Sequence, residues 1–150
     1  MIHSFTKIFI HLVWSTKFRQ PFLRGELRPM VKAHIEMYAK ENNIQIKSLA
    51  VQPDHVHLLV QLQSDQRVED IPKLLKGESS NWLNAQDLLR IKFSWQRGYG
   101  AFSVSPGHVE QVHNYILNQE EHHRVKPFSE ELQNILEKYG FIVNGSTEKT

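Results

Sequence analysis

Apolar and polar residues alternate along five short stretches of the chain, with the period of two that β-strands show. The predicted strands cover residues 6–14, 44–51, 55–62, 91–95 and 99–104. The first is apolar on both faces, with Phe9 and Val13 on one face and Leu12 on the other. We expect such a strand not to remain a bare sheet edge, because an open apolar edge invites pairing with another chain.

Helical periodicity, with apolar residues three or four positions apart, covers most of the remaining chain. The predicted helices cover residues 26–42, 68–83, 108 to about 122, and 129–139. Gly77 lies inside the second helix, where glycine costs about 1 kcal/mol relative to alanine. We therefore expect another part of the molecule to approach Gly77 closely.

The order β-α-β-β-α-β-β-α-α predicts an α+β fold. We expect an antiparallel sheet with helices packed on one face, on the split βαβ plan of ferredoxin-like and RRM-like domains. Residues 1–143 are predicted to form a single domain, and the polar residues 144–150 a disordered tail.

Composition narrows the class of protein. The 150 residues include no cysteine, which excludes disulfides and thiolate metal sites and favours a cytoplasmic protein. No apolar run approaches the roughly 20 residues of a membrane span, and the N-terminal residues lack a signal-peptide pattern.

The net charge of +2 is low for a nucleic-acid-binding domain. Basic residues predominate between residues 5 and 28, but on charge alone an ordinary solvated surface is the favoured interpretation.

Two histidines on the third predicted strand are the strongest chemical signal. His55 and His57 are two residues apart, so their side chains point to the same face of the sheet, close enough to bind one cation. Val56 and Leu58 then occupy the opposite, helix-covered face. With nine histidines in the chain, a pair of half-exposed strand histidines without function explains the pattern equally well.

A second signal lies on the third predicted helix. Tyr115 and Gln119 are four residues apart and so share a polar face beside the apolar stripe of Val112 and Ile116. Taken singly, Tyr115 is better explained as a residue at the edge of the core, and Gln119 as a solvated one.

Together, these motifs and their order resemble the small HUH transposases of the IS200/IS605 type, which use a histidine–hydrophobic–histidine strand and one catalytic tyrosine. The resemblance extends from about residue 5 to about residue 123. Its parts are the histidine strand at 53–60, an opening strand at 11–14, a second-helix motif at 75–80, the segment 98–105, and Asn114 and Tyr115 followed by Gln119.

The resemblance implies a metal-dependent transposase that cleaves and rejoins single-stranded, hairpin-containing DNA through a 5′-phosphotyrosine on Tyr115. It also implies that His55, His57 and Gln119 bind a divalent cation, Mg²⁺ or Mn²⁺. It further implies a homodimer in which the histidines of one subunit work with the tyrosine of the other. We predict DNA contacts in the loop after the first strand and in the second-helix motif, namely Lys17, Arg19, Lys76 and Ser80.

Several alternatives stay open. A repeat-associated tyrosine transposase, a domesticated HUH nickase and a replication-initiator or relaxase type of nickase share the chemistry. A non-catalytic module that binds single-stranded nucleic acid would share only the fold. His122 lies about two turns after Tyr115 and is a rival to Gln119 as metal ligand, although a surface histidine near a helix end is the simpler interpretation.

Overall fold

The structure, a computed structural model, describes residues 4–120 and 126–141. His122 and the predicted tail at 144–150 lie outside these residues. The boundary at residue 143 therefore stays a prediction.

Four strands and four helices are assigned in the part of the chain that the structure describes. They are β1 (Ile8–Ser15), α1 (Leu27–Glu41), β2 (Gln45–Val51), β3 (His55–Leu62), α2 (Asp70–Ala85), β4 (Gly100–Val104), α3 (Val109–Leu117) and α4 (Phe128–Lys138). Short 3₁₀ turns follow β1 at Lys17–Arg19 and precede α3 at Pro106–His108. The sheet order is β2-β3-β1-β4, and every neighbouring pair is antiparallel. The predicted α+β class and split βαβ plan are confirmed.

β1 lies in the interior of the sheet, between β3 and β4. Leu12 pairs with Leu58 on one side and with Ala101 on the other. The strand is apolar on both faces because helices cover both faces. It therefore needs no second chain to protect an open edge, and the sequence-based reason for a dimer does not apply.

The larger core lies between the sheet and the first two helices. Leu12 and Leu58 are fully buried there against Ile35 of α1 and Leu75 of α2. Fully burying an aliphatic side chain of this size contributes roughly 1.5–3 kcal/mol. This face matches the helix-covered face that the sequence predicts.

The opposite face is covered as well, whereas the sequence predicts helices on one face only. Leu59 packs against Ile116 of α3, and Val13 packs with Phe102 against Phe128 of α4. The physical reason is that the inward positions of β1 and β4 on this face are apolar, and they require cover to be stable. Helices α3 and α4 therefore stand directly over the histidine strand.

The predicted strand at 91–95 is wrong. Only Trp95 makes a bridge, to Thr16. Phe93 is instead held by the Asn84 side chain, which accepts from the Phe93 N–H at 2.7 Å and donates to its carbonyl at 2.9 Å. Phe93 and Trp95 are buried core residues on an irregular segment. Their alternation therefore reflects two anchored rings rather than a hydrogen-bonded ladder.

Two smaller expectations also fail. Within the described residues, no atom from outside the immediate neighbours and the helix's own backbone lies within 4 Å of the place where a Cβ on Gly77 would stand, so no other described part of the molecule approaches this glycine closely. The predicted helix from residue 108 to about 122 is interrupted: α3 ends at Leu117, Asn118 forms a turn, and residues 119–120 are helical again, while residues 121–122 lie outside the described residues.

Candidate active site

The alternation of β3 directs His55 and His57 into the space beneath α3 and α4. Neither side chain has any exposed area. The alternative of two half-exposed strand histidines is therefore wrong. A buried imidazole needs partners for both ring nitrogens, so the surroundings of each ring determine what it can do.

The Nδ1 atoms of both rings are held from outside the cluster. His55 Nδ1 lies 2.7 Å from a carboxylate oxygen of Asp54, and His57 Nδ1 lies 2.8 Å from Nε2 of His11. Burial, followed by the neighbouring His57, lowers the pKa of His11 to about 3, so His11 is neutral at pH 7. Such outer contacts are typical of metal-binding histidines, because they fix the ring orientation and the tautomer. The Nε2 atoms of His55 and His57 then point into the cluster.

Tyr115 and Gln119 reach the same cluster from α3 and the turn that follows it. The Tyr115 ring stands edge-on to the His57 ring, with centroids 5.7 Å apart. Gln119 is buried, and its Oε1 lies 3.2 Å from Nε2 of His55. The Asn118 N–H donates to the Asn114 carbonyl and shapes the turn that carries Gln119. The structure thus brings together all four residues predicted from the sequence as nucleophile and ligands.

Glu131 of α4 is a fifth member that the sequence did not predict. One carboxylate oxygen lies 2.9 Å from Nε2 of His57 and 3.6 Å from Nε2 of His55. The other oxygen accepts hydrogen bonds from the Tyr115 hydroxyl and, at 3.1 Å, from the Gln119 amide. Glu131 is only 4% exposed. A buried carboxylate therefore joins the histidines to the tyrosine.

A signal for Glu131 is present in the sequence. Phe128, Leu132 and Ile135 form the apolar stripe by which α4 packs on the sheet. Glu131 is three residues after Phe128 and four before Ile135, so it lies within that stripe. A charged residue in the apolar stripe of an amphipathic helix points to a buried polar site, because burying an unpaired charge is costly.

The cluster has the composition of a divalent cation site. The ligand atoms of His55, His57 and Glu131 all lie within 4.8 Å of one another. The Oε1 of Gln119 lies 3.2 Å from Nε2 of His55 and adds an amide oxygen to this set. Two imidazole nitrogens together with two oxygens suit Mn²⁺. These residues could therefore hold a metal ion.

The surroundings of Tyr115 oppose its ionisation. Burial, and then the hydrogen bond to Glu131, raise the pKa of Tyr115 above its ordinary value. A phenol in this position keeps its proton, with the Glu131 carboxylate as acceptor. A cation beside the two groups would act in the opposite direction, because it favours the phenolate.

The four predicted DNA contacts fall into two pairs. Lys17 and Arg19 lie in the turn after β1, and the Arg19 guanidinium lies 5.5 Å from the Phe128 ring centre, itself stacked on His55. Lys76 donates to the carbonyls of Gln96 and Gly98, at 2.8 Å each, and the Ser80 hydroxyl donates to the Gly77 carbonyl. The first pair is therefore beside the cluster, while Lys76 braces the segment before β4.

Comparison with known families identifies the scaffold that carries this cluster. The sequence model described as "Transposase IS200 like" matches residues 4–119. This chain belongs to the IS200-like transposase family. It is accordingly a transposase, an enzyme that cleaves DNA and transfers its strands.

Relatives of this IS200-like transposase are found in several bacteria. The ISDra2 transposase TnpA of Deinococcus radiodurans is 32% identical over 114 residues, which cover 73% of this chain and 81% of that protein. The transposase for insertion sequence element IS200 of Salmonella typhimurium is 28% identical over 114 residues, covering 73% and 74%.

Solved structures share the fold. A Deinococcus radiodurans chain assigned as a transposase superposes with a TM-score of 0.65 at 30% identity, covering 79% of this chain and 95% of that one. A REP-associated tyrosine transposase bound to a REP hairpin superposes with a TM-score of 0.60, covering 82% and 73%. The identity to this second structure is 14%, so the likeness concerns the fold alone.

No helix in the described part of the chain is long and apolar enough to cross a membrane.

Proposed function

We propose that this IS200-like transposase is metal-dependent and cleaves and rejoins single-stranded DNA through a 5′-phosphotyrosine on Tyr115. The observation that supports it most is the buried cluster itself. The Tyr115 hydroxyl, the Nε2 atoms of His55 and His57, and the Gln119 amide meet there around the Glu131 carboxylate. A module that only binds nucleic acid would have no use for a buried tyrosine hydroxyl beside a set of metal ligands.

The metal ligands would be His55, His57 and Gln119, with Glu131 as a fourth. When bound, a divalent cation supplies positive charge to the nonbridging oxygens of the scissile phosphate and stabilises the charge that develops during attack. Mn²⁺ suits the nitrogen ligands, and the Glu131 carboxylate makes Mg²⁺ acceptable as well.

Tyr115 would attack the phosphorus, so that a Tyr115 O–P bond forms and the P–O3′ bond breaks. The Tyr115 proton passes to the carboxylate oxygen of Glu131 that already accepts its hydrogen bond. Glu131 then returns that proton, through water, to the departing 3′ oxygen, which becomes a hydroxyl. The bond energy is retained in the phosphotyrosine. A 3′-hydroxyl of another strand can then attack it and release Tyr115, so no nucleotide triphosphate is needed.

Single-stranded DNA with a hairpin is the proposed substrate. The REP-associated tyrosine transposase with the same fold is bound to a REP hairpin. No described helix in this chain is rich in the arginine and asparagine residues with which a recognition helix reads a duplex groove.

The test is the formation of a covalent adduct. Wild-type protein is incubated with a labelled single-stranded hairpin and Mn²⁺, and the products are separated on a denaturing gel. We expect a protein–DNA adduct that is lost on adding a chelator and is absent in Tyr115→Phe, which keeps the ring and removes only the hydroxyl. A metal-independent adduct, or an adduct mapped by mass spectrometry to another tyrosine, would refute the proposal.

A further inference from the structure

A groove lies beside the active site, and the proposed chemistry does not use it. It encloses about 680 Å³ between the turn at Lys17–Arg19, the segment at 96–100 and α4. We call it the aromatic groove and define it by Val13, Phe18, Arg19, Arg97, Tyr99 and Phe128, which line it. A volume of this size is in the range of pockets that hold a small ligand.

The aromatic groove shares a wall with the active site. Phe128 lines the groove, and its ring stacks on the His55 ring, with centroids 4.1 Å apart. Phe128 is therefore in contact with both the groove and a proposed metal ligand, so a strand whose scissile phosphate lies in the active site can continue into the groove.

The charge of the aromatic groove suits an anion. Arg19 and Arg97 line it, and Lys17 belongs to the same turn as Arg19. Its described lining residues include neither aspartate nor glutamate. The surface is thus positive on a chain whose net charge is only +2, and guanidinium groups are well shaped to bind phosphate.

Two aromatic rings are exposed in the aromatic groove, on separate segments. Phe18 is 73% exposed and Tyr99 is 43% exposed. Scattered exposed apolar residues are ordinary, but here two rings occur together with two arginines in one groove. Proteins that bind single strands use this combination, because every base has a flat face that can stack on a ring.

The backbone holds Phe18 in an unfavourable conformation. Its φ is 56° and that of Arg19 is 54°, in the left-handed region that favours glycine. The Phe18 N–H donates to Oε1 of Gln96 at 2.9 Å, and Lys76 fixes the Gln96 carbonyl. Strained residues persist where the surroundings over-determine them, often at binding sites. The strain here keeps the Phe18 ring in solvent, where it gains little from packing.

We propose that the aromatic groove binds one unpaired nucleotide of single-stranded DNA next to the cleaved phosphate. The base contacts the rings of both Phe18 and Tyr99, and the flanking phosphate pairs with Arg19 and Arg97. This inference rests on the proposed function and adds to it a reason for single-strand preference, since a paired base within a duplex cannot present its face to a ring.

The test measures the affinity for a fluorescent oligothymidylate of eight nucleotides by anisotropy. Phe18→Ala and Tyr99→Ala should each weaken binding at least about fivefold, because one base–ring stack is worth that much or more. Tyr99→Phe keeps the ring and should bind like wild type. Phe5→Ala is the matched control, since Phe5 is 92% exposed and does not line the groove.

Arg97→Gln should lower the salt dependence of binding, whereas Phe18→Ala should leave it unchanged.

Phe18→Gly tests whether weaker binding could result from a loss of folded protein. Glycine tolerates the positive φ, so this variant should melt at the same or a higher temperature than wild type and still bind DNA more weakly. Weak binding in a variant of undiminished stability cannot be attributed to misfolding.

Two results would overturn the inference. One is that Phe18→Ala and Tyr99→Ala bind the oligonucleotide as tightly as Phe5→Ala. The other is a combination of two observations. Wild type dimerises in sedimentation experiments while Phe18→Ala is monomeric, and the DNA affinity of Phe18→Ala equals that of wild type. This combination would make the groove an interface with a second copy. If wild type forms the covalent adduct while the groove variants bind DNA normally, only the inference about the groove is refuted. If the groove variants bind DNA more weakly but no protein forms an adduct, only the proposed chemistry is refuted.

Discussion

Glu131 is the residue on which the chemistry of the cluster depends most. Its two carboxylate oxygens face different partners, one the histidine Nε2 atoms and the other the Tyr115 hydroxyl and Gln119 amide. A single side chain can therefore bind the cation and receive the tyrosine proton. The sequence resemblance covers the chain only to about residue 123, so it does not extend to this residue.

We expect Glu131→Gln to weaken Mn²⁺ binding more than tenfold, because it removes the negative ligand and leaves a neutral amide. Titration followed by the electron paramagnetic resonance of free Mn²⁺ measures the affinity. Glu130→Gln is the matched control, since Glu130 is the exposed neighbour on the same helix. Unchanged or tighter Mn²⁺ binding by Glu131→Gln, in a variant that unfolds like wild type, would show that Glu131 is not a ligand.

His11 makes the stability of the chelator-treated protein depend on pH. Its folded pKa of about 3 lies below the ordinary 6.5, so the unfolded chain binds the extra proton between these values. The contribution of His11 to the free energy of unfolding is present above pH 6.5. It is lost as the pH falls towards 3, by at most about 1.4 kcal/mol for each pH unit. Urea unfolding between pH 4.5 and 7.5 should show a shallower pH dependence for His11→Gln than for wild type. Parallel profiles would contradict the prediction.

At the scale of elements, local pattern and tertiary contact contribute differently. β3 has the same bounds in the sequence analysis and in the structure, because an apolar run of strand length directly after a tight turn permits few other arrangements. The segment at 91–95 meets the end of β1 only through the single bridge from Trp95 to Thr16, so its alternation does not continue into a strand. The end of α3 at Leu117 was not predicted either, since no glycine or proline marks it in the sequence.

Gly77 in α2 provides a test of stability at this scale. A Cβ there would meet no atom within 4 Å, so Gly77→Ala should raise the free energy of unfolding by about 0.5–1 kcal/mol through helix propensity alone. Gly100→Ala is the contrasting change in β4, where a Cβ would stand 2.8 Å from the Phe102 ring, and it should destabilise the protein. Urea denaturation measures both. A destabilised Gly77→Ala would reveal a constraint on this glycine that the fold does not show.

At the scale of the whole molecule, the candidate site in this structure is formed by residues of a single chain. Tyr115 lies against His57 of the same chain, and Glu131 connects them. The homodimer with shared sites stays a prediction from the family resemblance. With β1 inside the sheet, the described structure offers no exposed apolar edge there to support it.

Mixing two inactive variants distinguishes the arrangements. If each site is built within one chain, Tyr115→Phe and His57→Ala should stay inactive after subunit exchange, because neither chain has a complete set of groups. The readout is the covalent adduct with a labelled hairpin, and differently tagged chains establish that heterodimers form. Recovery of about one active site per heterodimer would instead support sites shared between subunits.

The sequence by itself determined the fold class, the shared face of His55 and His57, and the positions of Tyr115 and Gln119. These follow from backbone periodicity, which acts over a few residues, and from ordered motifs that resemble a known family. Only the tertiary structure revealed the covered second face, the His11 contact and the position of Glu131. Glu131 meets His57 across 74 positions of sequence. Such a contact depends on where α4 packs, and the burial of Phe128 and its neighbours against β1 and β4 sets that position, which no local pattern specifies.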